Sequence, residues 1–140
     1  MPQRPLLSLA LPPAPASVVT ARRRLEEVLD PLLADGLVSA ATRDTAVLLV
    51  SELVTNAVRH ARTGAGARVE LQVALTNAHR LHVSVHDEGQ GFTATRVAMP
   101  PPEQIGGRGL ALVDAMAEDW GAERVGSMRV WFELPLEPAS

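Results

Sequence analysis

Cysteine is absent from this 140-residue chain. That excludes a disulfide scaffold, a cysteine-ligated zinc site and a thiol nucleophile. Lysine is absent as well, since all 13 basic residues are arginine. A P-loop lysine, a Schiff-base lysine and the lysine of eukaryotic-type kinases are therefore excluded. The arginine-only usage fits GC-rich codons better than a physical requirement. Positive charge is not in excess either: 13 basic and 16 acidic residues give a net charge of -3. A protein whose affinity comes from phosphate backbones needs a basic stripe, so nucleic acid is not an expected partner. No apolar run approaches the ~18 residues of a membrane span. The start holds one arginine before a short apolar stretch, residues 6–11, which does not read as a signal peptide. The expectation is a soluble cytoplasmic protein with no membrane partner.

What is present is an ordinary globular balance, 46% apolar and 21% charged. A chain this long can bury roughly 68% of its unfolded surface, enough for one core. Residues 1–140 read as a single domain. Residues 6–11 are a strand candidate, stopped by Pro12 and Pro13. Ser17 is placed to cap a helix over residues 18 to about 33, with Pro31 and Gly36 marking its end. Ser39 or Thr42 can cap a second helix running to about residue 62, with Ala46, Val50, Leu53, Ala57 and Ala61 as its buried stripe.

The period then changes from helical to two. Val69, Leu71, Val73 and Leu75 alternate with polar residues, as do Leu81, Val83 and Val85, and later Val130, Phe132 and Leu134. One-sided alternation predicts a largely antiparallel sheet with one covered face. Residues 89–109, rich in Gly and Pro, read as a long loop of functional kind. A third helix is expected over residues 110–120 and a short strand over 121–125. Strand, two helices, two strands, loop, helix and two strands make an α+β two-layer sandwich.

Three segments carry polar chemistry. In Ser51-Glu52-Leu53-Val54-Thr55-Asn56-Ala57-Val58-Arg59-His60-Ala61, Glu52 and Asn56 are four residues apart. They share one helix face, about 6 Å apart along the axis, beside the buried stripe. A solvated helix face would hold the same glutamate. A carboxylate with an amide oxygen also suits a hard cation and an activated hydroxyl. In His86-Asp87-Glu88-Gly89-Gln90-Gly91-Phe92, an aspartate ends a buried strand and two glycines permit close approach by a ligand. An ordinary Asp-Gly turn reads the same way. In Gly106-Gly107-Arg108-Gly109-Leu110-Ala111-Leu112-Val113, glycines run into a helix N-terminus whose free N–H groups suit a phosphate. A flexible loop entering a helix would look alike.

In this order the three segments resemble the ATP-binding (Bergerat) fold shared by DNA gyrase, sensor histidine kinases and MutL. The resemblance is closer still to the small anti-sigma-factor serine kinases of bacterial partner switching. It runs from about residue 6 to 136 and is closest over residues 51–61, 87–92, 107–121 and 129–134. It implies a two-layer α/β sandwich, a mainly antiparallel mixed sheet covered on one face by helices, the histidine-kinase-like ATPase fold.

The resemblance also implies roles. Asn56 resembles the asparagine that binds magnesium, and Glu52 the glutamate proposed as general base. Asp87 resembles the aspartate that accepts the adenine amino group. Gly89 and Gly91 resemble the glycines beside the nucleotide. Gly107 and Gly109, with Arg108 and Leu110 in the same turn, resemble the phosphate end. Residues 92–106 resemble the lid over the triphosphate, here short and holding Pro100-Pro101-Pro102. Arg22 resembles an arginine these kinases use to engage protein partners. The implied cofactors are ATP and Mg2+. The implied partners are a sigma factor and an anti-sigma-factor antagonist protein, which would be phosphorylated on serine or threonine. A non-catalytic ATP-binding module and a detached sensor histidine-kinase catalytic domain remain as alternatives, and a homodimer is one open arrangement. His60 reads as a helix-face histidine. His82 and His86 lie about 13 Å apart along one strand, too far to chelate one metal together.

Overall fold

Among the described residues, the stretches with an apolar period of two are strands, and those with a period near 3.6 are helical over most of their length. The computed structural model describes residues 3–60, 67–77, 79–87, 108–125 and 127–136. In chain order the described elements are β1 (Gln3–Leu11), α1 (Ala16–Ala34), α2 (Ala40–His60), β2 (Val69–Thr76), β3 (Arg80–Asp87), α3 (Arg108–Met116), β4 (Asp119–Val125) and β5 (Ser127–Pro135). This is the expected succession. The strands form one sheet in the order β1-β2-β3-β5-β4. The sheet was expected to be mainly antiparallel, and every described ladder is antiparallel.

Alternation decides which side chains enter the core. Val69, Leu71 and Val73 of β2, Leu81, Val83 and Val85 of β3, and Phe132 and Leu134 of β5 are buried. Against them lie Ala21, Leu25 and Leu29 of α1, Leu49, Val50 and Leu53 of α2, and Leu110 and Val113 of α3. β3 is the middle strand, and α2 lies against it. The other sheet face is polar. There the His82 ring stacks on Trp131 at 5.6 Å, and its Nδ1 lies 2.8 Å from a Glu133 oxygen. The same glutamate accepts from Arg80 at 3.2 Å. Trp131 rests on Gly121, where a Cβ would stand 2.6 Å from the indole nitrogen. An aromatic ring laid over a cross-strand glycine covers backbone that would otherwise be exposed.

Local chemistry corrects several expected boundaries. β1 begins at Gln3 and not at residue 6, with its register broken between Pro5 and Leu7. Proline cannot donate to a ladder, so an edge strand with a bulge accommodates it. Ser17 does not cap α1. The helix starts behind Pro15, already in helical geometry, and the Ser17 hydroxyl donates to the Pro12 carbonyl at 2.6 Å. Pro31 lies inside α1 and does not end it. In the last turn it costs a single intrahelical bond, and its own carbonyl still accepts from the Asp35 N–H at 3.0 Å. The helix stops at Gly36, whose φ of 76° is left-handed. The Leu37 N–H then bonds the Leu32 carbonyl and the Gly36 N–H bonds that of Leu33, a Schellman closure.

α3 begins at Arg108 and ends at Met116, so Trp120 belongs to β4. The Glu118 N–H is already taken by the Glu133 carbonyl, and Trp120 donates its indole N–H back to Asp114 at 2.9 Å. Ala61, the expected end of α2 and the long loop over residues 88–107 lie outside the described residues.

Candidate functional site

The start of α2 is fixed to one end of the sheet. Ser39 is the cap: its Oγ accepts the Thr42 N–H at 3.0 Å. Thr42 donates its hydroxyl to the Pro135 carbonyl at 2.8 Å, and the Ser39 N–H donates to the Leu136 carbonyl at 3.0 Å. Pro135 pairs with Arg80, the first residue of β3. From Thr42, Asn56 lies about 21 Å along α2 at 1.5 Å per residue. From Arg80, Asp87 lies about 23 Å along β3 at 3.3 Å per residue. The two polar residues therefore lie at the same end of the sandwich, opposite the anchor.

Glu52 and Asn56 are half-buried, between the buried stripe of α2 and solvent. Nearby hydroxyls are tied to the helix backbone. Ser51 donates to the Val47 carbonyl at 2.8 Å and Thr55 to that of Ser51 at 2.6 Å. The hydroxyls on this flank are thus committed to the helix's own carbonyls.

Asp87 ends the middle strand, between Val69 of β2 and Met128 of β5. It continues the series Leu81, Val83 and Val85, the side chains directed under the helices. Its Oδ1 is shut off from solvent. A carboxylate oxygen so placed is an acceptor held in a low-dielectric setting, where a hydrogen bond is stronger than in water.

The chain leaves β3 at Asp87 and re-enters the sheet at Asp119, which pairs with Glu133 near the other end. α3 makes the final part of this return, so its N-terminus points back toward the Asp87 end. Arg108 and Gly109 are the first residues of α3. Leu110 is buried and seats the helix on the core. Gly89, Gly91 and Gly107, and the lid over residues 92–106, lie outside the described residues. Glu52, Asn56, Asp87 and the start of α3 thus converge on one end, from three elements far apart in sequence.

Arg22 is not part of this cluster. It stands exposed on α1, as do Arg23 and Arg24. Arg24 is paired with Glu27 at 3.3 Å. Two exposed features were missed by sequence reasoning. Arg59 stands on the last turn of α2, seven residues after Glu52, where a cation complements the helix dipole. Leu48 is four residues before Glu52 and 41% exposed. The spacing from Glu52 was a signal for both. Among the described residues no group of three or more His, Cys, Asp or Glu could hold a metal ion. No helix among them is long and apolar enough to cross a membrane.

Comparisons with known proteins agree with this geometry. Solved structures with the same fold include the RsbU and RsbW domains of Rv1364c from Mycobacterium tuberculosis. That protein is 20% identical over 99% of this chain and 34% of its own, with a TM-score of 0.70. The blue-light activated histidine kinase EL346 of Erythrobacter litoralis is 30% identical over 71% of this chain and 32% of its own, with a TM-score of 0.54. The histidine kinase domain of the same protein is 22% identical over 83% of this chain and 61% of its own, again with a TM-score of 0.54. The chain spans about a third of the length of the first two. No curated protein sequence matches it. The histidine kinase-like ATPase domain profile matches residues 11–132, most of the chain. A nucleotide-binding fold, with its polar residues gathered at one end of an antiparallel sheet, identifies this chain as a member of the histidine kinase-like ATPase domain family.

Proposed function

We propose that the chain binds ATP with magnesium and transfers the γ-phosphoryl group to a serine or threonine of a partner protein. The partner is an anti-sigma-factor antagonist, and the chain holds a sigma factor until the antagonist displaces it. In this reading residues 1–140 act as one cytoplasmic domain. The observation that carries it is the meeting of Glu52 and Asn56, half-buried on one face of α2, with the buried Asp87 oxygen at the same end of the sheet. The RsbW domain named in one structural neighbour supports the partner class.

Asp87 accepts a hydrogen bond from the adenine amino group. Gly89 and Gly91 let the backbone pass beside the nucleotide. Gly107, Arg108, Gly109 and Leu110 form the phosphate end, where the opening turn of α3 offers N–H groups and the positive end of its dipole. The donor set fits magnesium, because Asn56 supplies a hard amide oxygen. That ion takes one or two protein oxygens and fills its octahedron with phosphate and water. When bound, magnesium neutralises charge on the phosphates. Glu52 accepts the proton of the incoming hydroxyl while its oxygen bonds to the γ-phosphorus. The bond from that phosphorus to the β–γ bridging oxygen breaks, and ADP departs with the electron pair. Arg22 grips the partner.

Calorimetric titration of ATP, with and without magnesium, tests the site. Asn56→Ala is expected to lose nearly all magnesium-dependent affinity with its fold intact by circular dichroism. Wild-type affinity in that variant would sink the assignment. The 30% identity with the EL346 kinase favours one second reading, a catalytic domain acting on a histidine of another chain. Acid treatment of the labelled partner separates the two, because phosphoserine survives it and phosphohistidine does not. A partner that takes no label leaves a nucleotide-gated binding module.

A further inference from the structure

Among the described residues, the side chains beside Asp87 on its face of the sheet are apolar. Across the two ladders it is paired with Val69 of β2 and Met128 of β5. Behind it on β3 lies Val85, which is paired with Leu71 and Val130. Val69, Leu71, Val85 and Val130 are all buried. Met128 differs from them. It continues the inward series of Val130, Phe132 and Leu134 and packs against the core, yet it is only half-buried. Asp87 is half-buried too, with its Oδ1 shut off from solvent. Val69 has no exposed surface, so the opening beside Asp87 is on the Met128 side. The chemistry of this row is one-sided. The carboxylate accepts hydrogen bonds. Valine has no polar side-chain atom, and a thioether sulfur is a weak acceptor that donates nothing. Such a row recognises an amino group on a flat ring. It offers nothing to a ring nitrogen, which needs a donor.

We propose that Met128 is a specificity-determining residue of the base site: it lies along the ring edge beside the amino group and leaves that edge without a hydrogen bond. The chain then selects a base by its exocyclic amino group and accepts changes at the ring nitrogens nearest to it, N1 and N7 of adenine. The proposal rests on the reading of Asp87 as the acceptor for the adenine amino group and names what else the site requires of the base. A flexible, polarisable thioether suits this place, since it makes favourable contact with aromatic ring edges and adapts to different outlines. A threonine at position 128 would act in the opposite sense. Its hydroxyl can donate to a ring nitrogen, and a site that makes such a bond rejects the analogue that lacks the acceptor.

The full-length chain is titrated calorimetrically, with magnesium present, against ATP, the triphosphates of 1-deazaadenosine and 7-deazaadenosine, and purine riboside triphosphate, which lacks the amino group. Both deaza compounds should bind within about threefold of ATP, because neither loses a hydrogen bond to the protein. Purine riboside triphosphate should bind about ten- to hundredfold more weakly, the range of a hydrogen bond to a charged group. In Met128→Thr, ATP should bind about three- to tenfold more tightly than at least one deaza compound, through a new neutral hydrogen bond. Met128→Leu, as apolar and near in size, should keep both deaza ratios close to those of the wild type. A wild-type loss beyond about threefold with either deaza compound overturns the proposal, since a ring nitrogen is then hydrogen-bonded. Unchanged ratios in a folded Met128→Thr also overturn it. If that variant is unfolded by circular dichroism, the wild-type series decides alone. A wild-type chain that binds none of the four compounds sinks the nucleotide reading and this inference with it. One that binds ATP and purine riboside triphosphate alike sinks the role of Asp87 and the inference together. One that binds ATP well and either deaza compound poorly sinks the inference alone.

Discussion

Replacing Asp87 by Asn tests how the chain chooses its base. The substitution keeps side-chain size at the end of the middle strand and removes the charge. The Asp87 carboxylate oxygen is shut off from solvent, and in the proposed function it accepts from the adenine amino group. A hydrogen bond to a charged group contributes roughly 1.5–3 kcal/mol. At about 1.4 kcal/mol per factor of ten, its loss should weaken ATP about ten- to hundredfold. Guanine presents a carbonyl oxygen where adenine has its amino group, so the wild type should reject GTP by a similar factor. The asparagine amide can donate to that carbonyl. The ratio of ATP to GTP affinity should therefore shrink from both sides in Asp87→Asn. Competition of each nucleotide against a fluorescent ATP analogue measures the ratio, and urea unfolding of both proteins confirms that the fold survives. Equal competition by ATP and GTP in the wild type, or an unchanged ratio in the variant, would refute the role given to Asp87.

Glu52→Gln should hold ATP within a few-fold of wild type and slow phosphotransfer by ~10²–10⁴, the range of general-base help; an unchanged single-turnover rate would exclude Glu52 as the base. Ser39→Ala removes the side-chain oxygen that accepts the Thr42 N–H. It should cost about 0.5–2 kcal/mol in urea unfolding, and no loss would mean that another group caps α2. Gly121→Ala puts a Cβ 2.6 Å from the Trp131 indole nitrogen. It should cost about 1–3 kcal/mol and change the near-ultraviolet dichroism of Trp131. ATP affinity should stay unchanged, because this indole lies on the face away from Asp87; a parallel loss of ATP binding would show that the two faces are coupled.

Much of this fold was legible because its signals are local. The alternation around Leu71, Val83 and Phe132 fixes both the strands and the face they bury. The same alternation carries Asp87 under the helices, two residues beyond Val85. Glu52 and Asn56 were legible as a pair because a spacing of four always shares a helix face. Boundaries failed where tertiary bonds override local preference. Ser17 looks like a cap in sequence, yet the Pro12 carbonyl claims its hydroxyl. Trp120 fits the apolar period of α3, yet the ladder with β5 takes it as a strand residue. The end of the sheet on which the polar residues meet was not legible. It depends on the bond from Thr42 to the Pro135 carbonyl, 93 residues away in sequence, and no local pattern encodes a contact of that range.

That bond also divides α2 into two halves with different duties. The first half is held at many points. Ser39 caps it, Thr42 and the Ser39 N–H tie it to the end of β5, and Arg43 bridges to Glu26 and Asp30 of α1. The carboxylates of Asp44 and Asp30, ahead of Glu26, hold the Arg43 guanidinium above its ordinary pKa. These groups are all far from Asp87. The second half holds Glu52 and Asn56, and its core face is secured by packing, with Leu53, Val54 and Ala57 buried. Packing constrains volume and leaves the flank free to carry whatever polar groups a ligand requires. A helix fixed polar-end first and packed thereafter can thus hold a carboxylate and an amide at a set depth. Substitutions between Ser39 and Asp44 should therefore register in unfolding, and those at Glu52 and Asn56 in ligand binding and turnover.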